Sequence, residues 1–331
     1  MKTVHVLTLA LTLALGNTIA TSCMAGDTVV VRPSSHYTTK RISLTDIEAI
    51  TTSSSVDVVY HPSAGAPYAE IYAPDNVVPY IQVEQKGRQL NVGIQHPDGN
   101  RLSIEGKCRY EVRVYAPEVT SFTSGSSGDI LIQENIQTEK PIRLSANSSG
   151  NIKASSITCG LADLCSQSSG DILVENLHCT SSEFKSSSSG DCYIHSLNSL
   201  GNVSVSTGSS GDCKVDEMAC EGNLSISSSS SGDCKIDNLR CTGDVDASTS
   251  SSADIYLSGT CRNASLSASS AGSVYAKDLK AVDVKASATS AGCVECQASG
   301  TLTPHASSGG EIRYKGEPQH INAQLKGLRQ L

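Results

Sequence analysis

The segment Ser209-Ser210-Gly211-Asp212-Cys213-Lys214-Val215 returns 21 residues later as Ser230-Ser231-Gly232-Asp233-Cys234-Lys235-Ile236. Copies of this Ser-Ser-Gly-Asp motif follow one another from residue 126, and degenerate copies continue to Gly310, at spacings of 18 to 22 residues. A constant period of about 20 residues is typical of a solenoid, in which each repeat forms one coil stacked on its neighbours.

Alternating apolar residues within each repeat predict short strands. Counted from the motif glycine, apolar side chains stand two and four positions after it, and eight and six positions before it. Polar residues separate them, which is the period of a strand with one buried face, and no repeat has the 3.6-residue period of a helix. The sequence therefore predicts an all-β fold, a single-stranded, right-handed parallel β-helix (β-solenoid) with coils of about 20 residues.

Small residues mark the turn of each coil. A serine stands two positions before the motif glycine in every copy, and we expect the stacked hydroxyls to pass hydrogen bonds from coil to coil. The glycine itself has two interpretations. It supplies either a positive φ angle or room for a close approach of backbone.

The flanking regions lack the repeat and are interpreted as caps. Residues 27–121 are expected to form an N-terminal β cap and the first coils, residues 122–316 the regular repeats, and residues 317–331 a C-terminal capping tail. Within the cap, the alternating stretch from Ile81 to Ile94 predicts a hairpin that turns at residues 85–88. Caps are needed because an open solenoid end exposes strand edges and apolar core.

Residues 1–26 are interpreted as a signal peptide, with Lys2 before an apolar run from Val4 to Leu15. Cys23 follows Ala-Thr-Ser, which resembles a bacterial lipobox except at Ala20, where leucine is usual. Lipidation of Cys23 and ordinary cleavage after Ala20 or Ala25 are the two alternatives. The chain is expected to be exported, either anchored in the outer membrane or at the cell surface, or else periplasmic or secreted. Membrane contact is expected only through such a lipid anchor.

Acidic and aromatic residues form two neighbouring columns in the repeat frame. The acids directly after the motif glycine either bond to nearby backbone N–H groups, as in Asx turns, or bind Ca²⁺. Tyrosines recur two positions further on, where side chains point outward, and we expect the two columns together to contact a ligand; the alternative is ordinary solvated surface. The Ca²⁺ candidates are Asp171, Asp191, Asp212, Asp233 and Asp254, and the ligand face comprises Tyr193, Tyr256, Tyr275, Asp191, Asp212, Asp233 and Asp254.

The chain has 13 cysteines, most of which fall into two columns of the repeat frame. They are either small buried apolar residues or disulfides, in which case Cys159–Cys179 and Cys220–Cys241 are the expected pairs. Neighbouring side chains in a parallel stack point the same way, which strains such a bridge. Cys293 and Cys296 are three positions apart on a predicted strand and face opposite sides, so no metal or redox centre is expected there.

Net charge and composition restrict the partners. A formal charge of −8 argues against sequence-independent binding to nucleic acid, and 4% aromatic residues argue against a protein that binds by sugar stacking or base stacking. The expected partner is an unknown glycan or protein at the cell surface.

The Ser-Ser-Gly-Asp-Ile pattern, after the stretch from Ile42 to Ile50 and Ser55-Val56-Asp57-Val58, resembles the head-GIN-domain proteins of Gram-negative bacteria, described as "putative auto-transporter adhesins". The resemblance covers roughly residues 40–320. It implies an exported β-helical protein, often with a lipoprotein signal, and it offers no catalytic residues for this chain.

The function expected from these features is non-catalytic, adhesin-like binding, with no cofactor apart from the Ca²⁺ alternative. The coils are uniform, have no insertions longer than two residues, and lack the G-x-S-x-G, H-E-x-x-H and P-loop motifs. Two alternatives from other classes stay open. One is a carbohydrate-active enzyme, a polysaccharide lyase or hydrolase on the same scaffold, and the other is a structural envelope protein.

Overall fold

The computed structural model describes residues 28–322 and 328–331. The predicted signal peptide with Cys23, and part of the C-terminal tail, lie outside the described residues. Within them the chain forms thirty strands, and the only helix is a three-residue 3-10 turn at Val78–Tyr80. No helix in the described ranges is long and apolar enough to cross a membrane. The prediction of an all-β fold is confirmed.

The first nine strands form the N-terminal cap and the beginning of the first coil. Strands β2 and β5 pair antiparallel, as do β5 and β9 and the predicted hairpin β6–β7, whereas β1 pairs parallel with β8. These strands are β1 (Thr28–Val31), β2 (Tyr37–Ser43), β3 (Ala49–Thr52), β4 (Asp57–Pro62), β5 (Tyr68–Pro74), β6 (Ile81–Lys86), β7 (Gln89–Ile94), β8 (Arg101–Ile104) and β9 (Glu111–Ala116).

The remaining strands form a stack of parallel coils, each in register with the coil before it. This confirms the predicted parallel solenoid with coils of about 20 residues; its right-handed sense stays a prediction. The first group of strands is β10 (Ser121–Ser124), β11 (Ile130–Ile132), β12 (Ile136–Gln137), β13 (Ile142–Ala146), β14 (Ile152–Ser166), β15 (Ile172–Ser186), β16 (Cys192–Ser199), β17 (Val203–Thr207), β18 (Cys213–Cys220), β19 (Leu224–Ser228) and β20 (Cys234–Cys241). The second group is β21 (Val245–Thr249), β22 (Asp254–Thr260), β23 (Asn263–Ser269), β24 (Ser273–Ala281), β25 (Asp283–Thr289), β26 (Cys293–Ala298), β27 (Thr301–Ala306), β28 (Glu311–Lys315), β29 (His320–Ile321) and β30 (Leu328–Gln330).

Each coil has three sides. In β15, Val174 and Leu177 are buried while the two residues between them are exposed, so the chain bends there. A second interruption of the β14–β15 pairing falls at Gly160 and Thr180. We call the segment after the motif glycine the first side (172–174 in this coil), the next segment the second side (176–179), and the last the third side (182–186). Inward side chains of all three sides form one continuous core.

The turn geometry decides between the two roles considered for the motif glycine. A Cβ atom on Gly211 would lie 2.6 Å from the Ser187 nitrogen and 2.8 Å from the Gly190 oxygen, so glycine permits the close approach of these coils. Positive φ falls instead on the serine two positions earlier, at 59° for Ser209 and 63° for Ser230. The glycine therefore allows the coils to stack, and the serine makes the turn.

The column of hydrogen-bonded hydroxyls also differs from the expectation. Serines two positions before the glycine, such as Ser188, accept through their backbone carbonyl, here from the Ser210 N–H at 2.7 Å. The hydroxyl-bonded column lies four positions before the glycine, on the buried face of the third side. There the Ser166 hydroxyl bonds to that of Ser186 at 3.1 Å, and the Thr207 and Ser228 hydroxyls are 2.9 Å apart. These hydroxyls bond to one another because they are buried, and an unpaired hydroxyl inside the core would cost about 1–3 kcal/mol of stability.

At the C-terminal end, β29 and β30 continue the parallel pairing onto β27 and β28. Leu328 packs against the core beside Ile312, whereas Leu331 is 57% exposed. The described part of the tail thus adds an incomplete coil to the stack.

Candidate functional site

The outer surface of the first side runs the whole length of the molecule. The outward residue three positions after the motif glycine pairs with its equivalent in the next coil, and the same row continues into the cap. The row is Glu70, Arg113, Val59, Leu131, Lys153, Leu173, Tyr193, Lys214, Lys235, Tyr256, Tyr275, Glu295, Arg313 and Arg329. The structure therefore joins cap and repeats into one uninterrupted outer face.

This face holds most of the tyrosines. The chain has 11 tyrosines. Tyr37 lies at the edge of the face, where its ring stacks on that of Tyr72 with the ring centroids 5.2 Å apart. Tyr60 is buried in the core, and Tyr80, Tyr110 and Tyr314 lie elsewhere. We name the outer surface of the first side the tyrosine face; its outward tyrosines are Tyr68, Tyr72, Tyr115, Tyr193, Tyr256 and Tyr275.

All three tyrosines predicted from the sequence lie on the tyrosine face, but only two touch. The rings of Tyr256 and Tyr275 stack with centroids 4.9 Å apart. The Tyr256 hydroxyl donates to Asp254 at 3.1 Å, and partial burial, together with the Asp254 charge, raises the pKa of Tyr256 to about 12. Tyr193 is separated from this pair by the coils of Lys214 and Lys235.

Tyr193 belongs to a different cluster, centred on Asp216. The Asp216 carboxylate accepts from the Tyr193 hydroxyl, from Lys214 Nζ at 2.8 Å, and lies 3.0 Å from His195 Nδ1. The hydrogen bond from Lys214 and, as the next largest cause, that from Tyr193 hold the pKa of Asp216 well below its usual range. The bond to Asp216 in turn raises the pKa of His195. In the repeat frame Asp216 stands five positions after the motif glycine, on the outward face of its strand, but its convergence with three donors depends on side-chain length and direction.

The acid column forms a ladder between coils. Asp171 Oδ1 accepts the backbone N–H of Asp191 at 3.0 Å, and Asp191 Oδ1 that of Asp212 at 2.9 Å. The ladder continues through Asp233 and Asp254 at 2.8 Å each. Each carboxylate therefore accepts a hydrogen bond from the backbone of the next coil and not from its own turn. The Asx-turn interpretation is wrong.

The ladder brings like charges together. Burial raises the pKa of Asp191, and the charges of Asp212 and Asp171 add to this effect. Within residues 28–322 and 328–331, no group of three or more His, Cys, Asp or Glu side chains is placed to hold a metal ion. Calcium binding stays a prediction.

Substituting Asp212 separates the hydrogen bond from the charge. We expect Asp212→Ala to lower the free energy of unfolding by about 1 kcal/mol, because the Asp233 N–H loses its acceptor. Asp212→Asn keeps an acceptor, as Asn151 does naturally for Asp171, and should leave stability unchanged or slightly raised. Urea unfolding of both variants measures the difference, and equal losses would show that the charge, not the bond, is what stabilises.

A second ladder, in which side-chain oxygens accept backbone N–H groups of the next coil, was not predicted from the sequence. It lies at the corner before the third side, where Asn202 Oδ1 accepts the Asn223 N–H at 2.9 Å and Asn223 Oδ1 accepts the Asp244 N–H at 3.0 Å. Asp283 continues it, accepting the Thr301 N–H at 2.7 Å. The sequence signal for this ladder is the Asn or Asp that recurs nine positions before the motif glycine.

The cap contributes a further cluster to the tyrosine face, which we name the cap stack. The Arg41 guanidinium lies 3.5 Å from the Tyr68 ring centroid, and Tyr68 stacks on Tyr115 at 4.5 Å. Tyr115 stacks on His61 at 4.6 Å, and His61 Nδ1 is 2.9 Å from Glu134. These residues come from four strands and a loop, so their proximity could not be recognised without the strand order.

A polar groove of about 680 Å³ runs over the second side. Glu217 is the only carboxylate that lines it, beside Ser196, Asn198, Asn238 and Arg240. Acid–base hydrolysis of glycosides commonly uses two facing carboxylates, so this groove has only half of that arrangement.

Three solved structures are similar to this chain at low sequence identity. A "putative lipid binding protein" from Parabacteroides distasonis has a solved structure that is 18% identical, covering 92% of this chain and all of that one, with a TM-score of 0.35. A "putative adhesin" from Bacteroides fragilis is 18% identical over 91% of this chain and 95% of its own, with a TM-score of 0.33. Another, from Parabacteroides merdae, is 17% identical over 91% and 99%, with a TM-score of 0.30. A search of curated proteins finds no significant match.

The family model described as "Putative auto-transporter adhesin, head GIN domain" matches residues 46–215 and 202–318. These two matches together cover the cap strands from β3 onward and nearly all of the coils. They confirm the resemblance inferred from the Ser-Ser-Gly-Asp repeats. The chain belongs to the family described as "Putative auto-transporter adhesin, head GIN domain".

Proposed function

We propose that this protein is a non-catalytic, exported binding protein that contacts a glycan or protein at the cell surface through its tyrosine face. The observation that carries the proposal is the concentration of outward tyrosines on one of the three sides. A side chain used only to cover core would be distributed over all three outer surfaces.

Tyrosine and arginine suit such a contact. Both are enriched at binding hot spots, because they offer a large contact area together with hydrogen-bonding groups. In the cap stack and in the Tyr256–Tyr275 pair, ring faces already cover one another. A partner would therefore meet ring edges, hydroxyl groups and the neighbouring charges of Asp254, Lys214 and Lys235.

The alternatives have less support. A lyase or hydrolase needs a local set of acids and bases. The groove over the second side has one carboxylate, and a groove of about 620 Å³ over the third side is lined by Asp244, Asp246 and Asp283, of which Asp244 and Asp283 belong to the second ladder of the repeats. A structural envelope protein needs no concentration of aromatic side chains on one side. Export, with Cys23 lipidated or the chain released to the periplasm or outside, belongs to the same proposal.

A glycan and matrix-protein array on the purified chain, with and without Ca²⁺, tests this function. We expect at least one specific ligand, whose binding falls about tenfold or more in the double variant Tyr193→Ala/Tyr256→Ala and in Tyr68→Ala, since a hot-spot aromatic contributes 1–2 kcal/mol or more. Tyr80→Ala is the matched control, because Tyr80 stacks on His96 in the cap but lies away from the tyrosine face.

Three results would count against the proposal. Binding that is equally weakened by Tyr80→Ala would indicate general destabilisation of the cap. Binding unaffected by all tyrosine variants would move the contact to another side. Cleavage of an arrayed glycan would make the protein an enzyme.

A further inference from the structure

Cysteines form a column at the corner that ends the second side. Cys159 pairs in register with Cys179, and Cys220 with Cys241, with Ser199 in the coil between the two pairs. All four side chains are nearly buried. Across the described residues every cysteine is a free thiol in the structure.

The backbone distance suits a bridge within each pair. Neighbouring parallel strands are about 4.8 Å apart, inside the Cα–Cα range of about 4.4–6.8 Å for disulfides. Parallel side chains strain the bridge, and these cysteines stand where paired strand segments end: Cys220 ends β18, Cys241 ends β20, and the β14–β15 pairing is interrupted just after Cys159. Backbone hydrogen bonds between coils continue at this corner, as from the Thr242 N–H to the Cys220 oxygen at 2.9 Å, so each bridge must form by rotation of the side chains within the existing register.

Cys220 and Cys241 stand directly opposite each other in the pairing of β18 with β20, and the interaction between the two thiols lowers the pKa of Cys241, which favours its thiolate. Each also approaches a carbonyl of the preceding coil, Gly201 at 3.2 Å and Gly222 at 3.4 Å. The thiolate is the form that attacks a disulfide.

The other pair is reached from solvent. Cys159 and Cys179 line a surface pocket of about 500 Å³ together with Thr138, His178 and Asn198. Burial raises the pKa of Cys159 to about 12.

We propose that this corner column is a modification site at which Cys220–Cys241 and Cys159–Cys179 become disulfides on exposure to a disulfide oxidant. The Cys241 thiolate attacks one sulfur of the oxidant and releases the other as a thiolate. The Cys220 thiolate then attacks Cys241 Sγ, forming the bridge and displacing the second thiolate. Two protein thiols are oxidised with loss of two protons and two electrons, and the oxidant's disulfide is reduced to two thiols. Each bridge then ties two adjacent coils.

The core column of Cys192, Cys213 and Cys234 provides an internal control. These thiols are stacked in the same register but are completely enclosed on the first side. An oxidant cannot reach them in the folded protein. We expect them to stay reduced.

Peptide mapping tests the proposal on the full chain. The folded protein is held in glutathione and glutathione disulfide, quenched at intervals, alkylated with N-ethylmaleimide in denaturant and digested for mass spectrometry. We expect the Cys220–Cys241 and Cys159–Cys179 bridges to form, with the three core cysteines alkylated. Full alkylation of all four corner cysteines, or bridges within the core column, would overturn the inference.

Thermal unfolding gives a second readout. The oxidised protein should melt roughly 5 °C above the reduced one, since a bridge closing a loop of about 20 residues removes freedom from the unfolded chain. Cys220→Ser should remove the Cys220–Cys241 part of this shift, whereas Cys213→Ser, the matched core control, should keep it. A shift unaffected by Cys220→Ser would contradict the assignment, and the mapping of the unmodified chain stands even where a variant fails to fold.

Discussion

Ile172→Asp is expected to lower the free energy of unfolding by roughly 5 kcal/mol or more, and to unfold the neighbouring coils together. Ile172 has no exposed surface and stacks between Ile152 and Cys192 in an inward column of the first side. The substitution removes about 2–3 kcal/mol of apolar burial and places a carboxylate where no partner can reach it. Contacts in a solenoid pass from each coil to the next, so the damage spreads along the stack.

The adjacent residue supplies the control. Leu173 lies on the outer surface of the same strand, half-buried between Lys153 and Tyr193. Leu173→Asp should therefore cost less than about 1 kcal/mol. Urea unfolding followed by circular dichroism compares the two variants, and an Ile172→Asp protein as stable as Leu173→Asp would mean that the inward and outward columns are exchanged.

The regular coils could be predicted because two independent periods agree. The 20-residue repeat identifies equivalent positions, and the two-residue alternation then tells which of them face the core, as Ile172, Ile194 and Ile255 do. The same frame placed Tyr193, Tyr256 and Asp216 on the outside. It also predicted the acid ladder as a column, although not the direction of its hydrogen bonds.

The cap could not be predicted in this way because it has no repeat. Arg41, Tyr68, Tyr115 and His61 are far apart in sequence and meet only through the antiparallel pairing of β2 with β5 and of β5 with β9. Nothing in their local sequence specifies that order of strands. The cap stack, which extends the tyrosine face, was therefore outside the reach of pattern analysis.

The turn could be located but not described in detail. The Ser-Ser-Gly motif marks a tight turn, but either the serine or the glycine can adopt a positive φ angle, and glycine is the usual occupant of that region. Only the distance to the preceding coil shows why glycine is needed. In this fold it is the stacking of the coils that favours glycine, and it does so at the residue nearest the backbone of the preceding coil.

That demand leads to a prediction for Gly211→Val, which should lower the free energy of unfolding by about 3 kcal/mol. A Cβ atom at this position would lie 2.6 Å from the Ser187 nitrogen, 2.8 Å from the Gly190 oxygen and 2.9 Å from the Ser186 carbonyl carbon. All three are backbone atoms, so no side chain can rotate away, and the two coils must separate. Valine rather than alanine is the informative change, because Ala253 occupies the same column naturally.

Gly208→Val is the matched control three residues earlier. A Cβ atom on Gly208 meets nothing closer than the Ser229 hydroxyl at 3.5 Å, and the equivalent positions in most other coils carry a side chain, namely that of serine, glutamine, asparagine or threonine. This variant should stay within about 1 kcal/mol of the parent in urea unfolding. If Gly211→Val were equally mild, the coils would not be packed as closely at the motif glycine as the structure has them. The assignment of glycine to stacking rather than to turn formation would then be wrong, because the φ angle of Gly211 itself makes no demand for glycine.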